Sequence, residues 1–241
     1  MNIIALILAR GGSKGIKNKN IINVMGKPLI YYTIDIAKKI KSINEVYVST
    51  DSKKIKKISE KYGAKTPFLR PKKYSNDNSN DLSAFQHFCK WYSKNKKKKI
   101  DLIVHLRVTT PFRKINTIKE AIKIISKDKK ISCLRSFTKS SFSPFKMWLS
   151  KNNIATPIFK KKINGKEMHS LGRQQLPQTY SHVSYIDILR PNLTVSKNTM
   201  AGKKTRLFVI DSEKEKFVDI DTKNDLKKLN KIIYKFKKKK L

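Results

Sequence analysis

The chain has 241 residues, with 56 Lys plus Arg against 17 Asp plus Glu, a formal charge of +39 and 39% apolar residues. That length and apolar share provide one full-sized α/β domain with a single core, and no apolar stretch reaches the length of a membrane helix. The charge first suggests a polyanionic partner, yet the lysines recur in nearly every segment (53–57, 96–99, 127–130, 160–162, 203–204, 237–240) instead of forming one stripe with aromatics, which predicts solvated surface and no specific nucleic-acid partner.

In chain order, Ile3 to Ala9 is an unbroken run of branched apolar residues, expected to form a strand buried on both faces. Its start within three residues of Met1, without a charged leader, predicts no signal peptide and a cytoplasmic location. A loop follows in which Gly11, Gly12 and Gly15 permit close backbone approach to a ligand, while Arg10, Ser13, Lys14, Lys17 and Lys19 supply cationic and hydroxyl donors. A buried strand emptying into a cationic, N–H-rich loop suits a polyphosphate. It is neither a P-loop, since no Gly-Lys-[Ser/Thr] triplet occurs, nor the dinucleotide fingerprint, since Gly11 and Gly12 are adjacent.

Gly26-Lys27-Pro28 marks a turn opening a helix through about Lys41. A strand over 45–50 ends in Asp51-Ser52, a candidate N-cap for a helix over 53–62 that stops at Gly63. A polar loop, 74–81, leads to a helix over about 82–94 carrying Phe85, Phe88, Trp91 and Tyr92. Then come a strand over 100–107, a helix over 114–127 and a strand over 131–135. This alternation predicts an α/β fold with a doubly wound, mostly parallel sheet. Ligands sit at the carboxyl ends of such strands, so loops 9–20, 50–52, 74–81 and 107–113 should share one crevice.

From about 137 to 181 the alternation breaks, and Phe142, Phe145, Met147 and Trp148 stand among basic residues. We expect an excursion from a single 1–241 domain whose apolar groups need covering. Leu207–Ile210 and Phe217–Ile220 read as late strands, 222–236 as a closing helix and 237–240 as a frayed tail. Cys89 and Cys133 form no motif and are expected to be free thiols; the four histidines, His105 among them, lack metal-site spacing and read as ordinary core or surface residues.

Asp219-Ile220-Asp221 is the sharpest late constellation. On a strand, the two carboxylates would face one side about 7 Å apart and could converge on one divalent ion, Mg²⁺ being the best fit with phosphates and water. The competing reading makes Asp221 or Thr222 a helix cap, with Asp225 completing a capping box around Thr222. Arg173 and Gln174 cluster donors suited to a carboxylate or phosphate, and Lys146 is a second candidate anion contact.

Together these stretches resemble the acylneuraminate cytidylyltransferases (the CMP-sialic acid synthetase family) over almost the whole chain. The resemblance is carried by Ala9-Arg-Gly-Gly-Ser-Lys-Gly-Ile with Lys19-Asn20, and by Gly26-Lys-Pro-Leu-Ile, Val48-Ser-Thr-Asp-Ser52 and Leu69-Arg-Pro71. Thr109-Thr-Pro-Phe-Arg113, Arg173-Gln-Gln-Leu-Pro177 and Asp219-Ile-Asp221 complete it. It implies a nucleotide-diphospho-sugar transferase-like fold and transfer of CMP from CTP to a nine-carbon 2-keto sugar acid. By the same resemblance Arg10, Ser13 and Lys19 hold the triphosphate, Ala9, Gly12 and Asn20 line the nucleotide pocket, and Arg70 lies on the cytidine side. Arg10, Lys19, Asp219 and Asp221 would be catalytic, the aspartates holding Mg²⁺. Arg107 would lie on the sugar side. The excursion would form a homodimer contact, carrying Lys146, Arg173 and Gln174 to a partner's sugar site.

The chain departs from the family pattern at three places. Arg107-Val-Thr-Thr-Pro111 stands where Gln-Pro-Thr-Ser-Pro is usual, Val183-Ser184 replaces an Asn-Gly pair, and Asp81 replaces a serine. The first two lie on the sugar side, where a legionaminate or pseudaminate type fits at least as well as N-acetylneuraminate; the third falls in the loop before the third helix. Activation of an eight-carbon acid of the KDO type, and a basic nucleic-acid-binding protein, are the competing readings.

Overall fold

The computed structural model describes residues 1–13 and 15–238, with 232–238 described by their backbone alone. The chain folds as two compact units, one made of Met1–Ser136 with Ser184–Leu241, the other of Phe137–Val183.

The larger unit begins with β1 (Ile3–Leu8), a short hairpin of β2 (Asn23–Val24) and β3 (Lys27–Pro28), and α1 (Leu29–Lys38). It continues through β4 (Glu45–Ser49), α2 (Lys53–Lys61), α3 (Asp81–Lys96), β5 (Leu102–His105), α4 (Ile115–Lys127) and β6 (Cys133–Lys139). In the smaller unit, β7 (Trp148–Lys151) pairs with β8 (Ile154–Pro157), and β9 (Lys162–Ile163) with β10 (Lys166–Glu167). The chain then forms β11 (Tyr180–Leu189), β12 (Thr205–Val209) and α5 (Lys223–Lys238). The last helix takes in 237 and 238 of the expected tail; 239 and 240 lie outside the described residues.

The α/β architecture is as expected: a mixed, mostly parallel six-stranded sheet in the order β12-β6-β11-β5-β1-β4. β1 lies at its heart, parallel to β4 (Leu8 opposite Ser49) and to β5 (Leu6 opposite His105), while β11 runs antiparallel to β5. Alternate residues of a strand face opposite sides. On one side Ile4 and Leu6 meet Tyr47, Ile103 and Leu189 beneath Phe85, Phe88 and Tyr92 of α3, which recur at helical spacing. Each such fully buried aromatic contributes about 1.5–3 kcal/mol from burial. On the other side Ile3, Ala5 and Ile7 are equally buried, which is why β1 carries no polar residue at all.

Two local signals act as the sequence predicts. The Ser52 hydroxyl accepts from Ile55 N at 3.4 Å to cap α2, and Gly63 ends that region at a φ of +86°. One does not. Phe217–Ile220 is irregular and forms no strand, although three of its four residues are apolar. The Ile220 N–H donates to the carbonyl of Thr109 at 2.9 Å, in the loop after β5, so this stretch ties down a loop instead of joining the sheet.

The smaller unit has a core of its own, with Met168, Leu171 and Leu176 buried against Phe145 and Ile163. The β7–β8 hairpin, in contrast, is almost wholly exposed, with Leu149 and Ile154 open to solvent at 62% and 71%.

Candidate active site

Because β1, β4 and β5 are parallel, their carboxyl ends open on the same edge of the sheet, and a cleft of about 490 Å³ lies there. The first loop forms one wall with Arg10, Ser13, Gly15, Lys19 and Asn20. Arg70 and the 74–81 loop contribute another, Arg107 to Thr109 a third, and Asp219 and Asp221 close the ring. Loop 50–52 does not line the cleft as expected but supports it from behind, since Asp51 Oδ1 accepts from Gly11 N at 2.8 Å.

The first loop is braced at several points. Asn20, buried, donates from Nδ2 to the Arg10 carbonyl at 2.9 Å, folding the loop back on its own start. The Arg10 guanidinium donates to Asn76 O and pairs with Asp77, both at 3.1 Å. Lys19 Nζ stands 2.7 Å from Asp221 Oδ1, a pairing across 202 positions of sequence. Gly15 makes that meeting sterically feasible, because a Cβ there would lie 2.5 Å from the Asp221 carbonyl oxygen.

Asp221 and the helix cap are not alternatives. Asp225 Oδ2 accepts from Thr222 N at 2.9 Å, and Thr222 Oγ1 accepts from Asp225 N at 3.3 Å, the reciprocal capping box. Thr222 and Asp225 start the last helix, and the Asp221 side chain is left to face Lys19. Asp219 Oδ1 is buried and, among the described residues, has no hydrogen-bond partner. A buried carboxylate oxygen without a donor is costly, and a divalent cation or its bound water would satisfy it.

The ion pairs Arg10–Asp77, Lys19–Asp221 and Arg107–Asp81 (2.8 Å) all sit at this cleft. Such part-exposed pairs are worth about 0–1 kcal/mol each, so their cations are readily turned toward phosphate oxygens. Arg70 is buried, with its Nε donating to Ser75 Oγ at 3.0 Å. Burial lowers its proton affinity, Asp51 and Asp81 oppose that, and a guanidinium stays charged throughout.

Ala9 is fully buried behind the loop, donating its N–H to Ser49 O at 3.0 Å, and Gly12 is an exposed residue of the loop outside the cleft lining. Lys146, Arg173 and Gln174 are exposed residues of the smaller unit.

Two residues of this region escaped the reading of the sequence. Arg113 is half-buried and donates to four carbonyls: Tyr185 at 2.5 Å, Arg107 at 2.7 Å, Ser184 at 3.2 Å, and Thr110. It staples the Arg107–Arg113 loop to β11, and burial pushes its proton affinity down. His105, read as an ordinary histidine, is 1% exposed and lines the cleft. Its place at the carboxyl end of an apolar strand was the available signal.

A mixed α/β sheet with a glycine-rich cationic loop at the end of its central strand, facing two late aspartates, defines a nucleotide-binding enzyme of the nucleotidyltransferase class. The chain belongs to the cytidylyltransferase family, whose model matches residues 4–239. It is 36% identical over 139 residues to the N-acylneuraminate cytidylyltransferase of Escherichia coli O18:K1:H7, covering 58% of this chain and 32% of that protein. It is 29% identical over 225 residues to the CMP-N,N'-diacetyllegionaminic acid synthase of Campylobacter jejuni, covering 93% of this chain and 92% of that one. The match thus spans about a third of the first relative's length and nearly all of the second's. Among solved structures, CMP:2-keto-3-deoxy-manno-octonic acid synthetase complexed with CTP superposes with a TM-score of 0.70 over 98% of this chain and 99% of that one. At 15% identity that likeness shows the fold alone. Among the described residues, no helix is long and apolar enough to cross a membrane.

Proposed function

We propose that this chain transfers CMP from CTP to a sialic-acid-like nonulosonate, releasing pyrophosphate. The observation that carries the reading is the shared cleft, in which the Arg10–Lys19 loop and Asp219 and Asp221 meet. The names of the relatives above support an acidic sugar of the N-acylneuraminate or legionaminate type, and the pseudaminate type is a third candidate.

In this reaction the anomeric hydroxyl oxygen of the sugar forms a bond to the α-phosphorus, the bond to the pyrophosphate oxygen breaks, and the hydroxyl proton passes to solvent. Most of the catalysis is therefore positioning and charge stabilisation. Arg10, Ser13 and Lys19 bind the triphosphate, the backbone at Ala9 and Gly12 shapes the loop around it, and Asn20 and Arg70 hold the nucleoside side. Arg107 serves the sugar side.

Asp219 and Asp221 are the residues that would hold Mg²⁺, which when bound offsets phosphate charge. Among the described residues no cluster of three or more His, Cys, Asp and Glu side chains could hold a metal, so the two aspartates would share the ion with phosphate oxygens and water.

The protein works as a homodimer in this reading. A two-stranded hairpin exposed on both faces is at best marginally stable in water, and β7–β8 carries Trp148, Leu149 and Ile154. A second copy would cover them and receive Lys146, Arg173 and Gln174 at its sugar site. The supply of CTP makes the enzyme cytoplasmic.

The test is pyrophosphate release from CTP and Mg²⁺ with N-acetylneuraminate, legionaminate, pseudaminate and KDO. Release with at least one nonulosonate is expected. Release with KDO alone, or with none of the four, would refute the proposal.

A further inference from the structure

His105 ends β5, opposite Leu6 on one neighbouring strand and Asp187 on the other. Its ring packs edge-on against Phe85 at 5.1 Å and forms part of the cleft wall. Nδ1 lies 3.0 Å from the carbonyl oxygen of Leu6. A carbonyl can only accept, so the hydrogen belongs on Nδ1, and in the neutral ring Nε2 then carries a lone pair. That Nε2 is buried and, among the described residues, has no hydrogen-bond partner. Burial, followed by Arg107, pushes the ring's proton affinity down against the opposing pull of Asp81, Asp187 and the Leu6 carbonyl, which favours the neutral ring. A buried acceptor with nothing to accept from is costly in a folded protein, and natural structures fill such positions.

Asp81, the first residue of α3, lines the same cleft, and Arg107 holds its carboxylate at 2.8 Å. Arg107 lines the cleft as well, so this ion pair lies in its wall. Two acceptors flanked by one cation make a poor seat for a phosphate, whose oxygens also only accept. They suit a group that brings its own donors, a hydroxyl or an amide N–H.

We infer that His105 is a specificity-determining residue, whose Nε2 accepts a hydrogen bond from a hydroxyl or acylamido N–H of the acidic sugar, beside the Asp81–Arg107 pair. The inference rests on the function proposed above. It adds a requirement on the substrate: the sugar must present a donor where a merely anionic ligand would not.

His105→Asn keeps an amide N–H near the position of Nδ1 for the Leu6 carbonyl and removes the acceptor at Nε2. His105→Gln can return an acceptor oxygen near Nε2. Pyrophosphate release is measured while sugar and CTP are varied separately. His105→Asn should raise the KM for the sugar about tenfold, the order of one lost neutral hydrogen bond, and leave the KM for CTP within about twofold. His105→Gln should recover most of the loss. A sugar analogue lacking the responsible hydroxyl or amide should bind wild type and His105→Asn equally. A rise in the CTP KM alone would assign the donor to the nucleotide and overturn the inference, as would an equal rise in both.

Should both variants fail to fold, Asp81→Asn, which leaves His105 in place, must raise the sugar KM without changing that for CTP; an unchanged sugar KM overturns the inference. If the wild type releases no pyrophosphate with any nonulosonate, the proposed function itself fails, a result distinct from an insensitive variant of an active enzyme.

Discussion

Gly15→Ala tests whether the two ends of the chain must touch for the site to work. The added Cβ would stand 2.5 Å from the Asp221 carbonyl oxygen, where ordinary contact begins at 3.4 Å, a deficit of about 0.9 Å. The obstacle is backbone, which cannot swing aside as a long side chain would. Either the first loop or the Asp221 segment must therefore retreat. Lys19 Nζ and Asp221 Oδ1 lie 2.7 Å apart, so a retreat approaching 1 Å takes them out of hydrogen-bond range and displaces the carboxylate proposed to hold the ion. Misplacement of reacting groups on that scale costs about 100-fold in rate. Overpacking in a tight core costs about 1–3 kcal/mol, and because Gly15 is exposed the loss of stability should lie at the lower end. The assay is steady-state pyrophosphate release at saturating CTP and sugar, with a thermal melt on the same sample. We expect turnover about 100-fold below wild type with a melting temperature lower by only a few degrees. Turnover within about threefold of wild type would show that the contact between these two loops is dispensable.

Asp221→Ala should lower turnover by about 100-fold or more while leaving the capping box of Thr222 and Asp225, and hence the melt, intact; near-normal turnover with Mg²⁺ would remove Asp221 from the proposed ion site. Arg173→Ala should raise the sugar KM about tenfold with no change for CTP, and unchanged sugar kinetics would make this exposed arginine a surface residue only. Wild type should sediment as the proposed dimer and Trp148→Glu, on the exposed hairpin, as a monomer; a monomeric wild type would refute the dimer, and an unaltered dimer would move the contact elsewhere. Burial pushes the thiols of half-buried Cys89 and buried Cys133 up to about 12, so iodoacetamide at pH 8 should label both slowly, and Cys133 only after unfolding; rapid labelling of Cys133 in native protein would contradict its burial. The sign of the accompanying pH effect follows. Unfolded thiols ionise near 9 while the folded ones keep their protons to about 12, so this contribution to stability is full below pH 9 and is lost as pH rises through that window.

Much of the framework depends on local rules and could be read without coordinates. The apolar run of β1 has no polar face, so it had to be a central strand buried on both sides. The aromatics of α3 recur at helical spacing, and Ser52 and Gly63 bracket α2 through hydrogen bonding and backbone freedom that act within a few residues. The composition of the first loop, three glycines among cations, likewise announced a cationic turn at the end of that strand.

Tertiary structure decided what lies between distant segments. Phe217–Ile220 is rich in apolar residues, but pattern reports only which residues want burial. Its backbone is tied to the Thr109 carbonyl and joins no strand. Arg113 is one residue of the Thr109–Arg113 stretch until four carbonyls are seen to converge on it, and His105 reads as an ordinary histidine until its ring is found in the cleft wall. The Lys19–Asp221 pair spans 202 positions, and no local propensity reaches that far. Residue identities determined which groups could hold a nucleotide and an acidic sugar. Only the folding of the sheet, which brings the ends of its strands to one edge, could decide that they face one another.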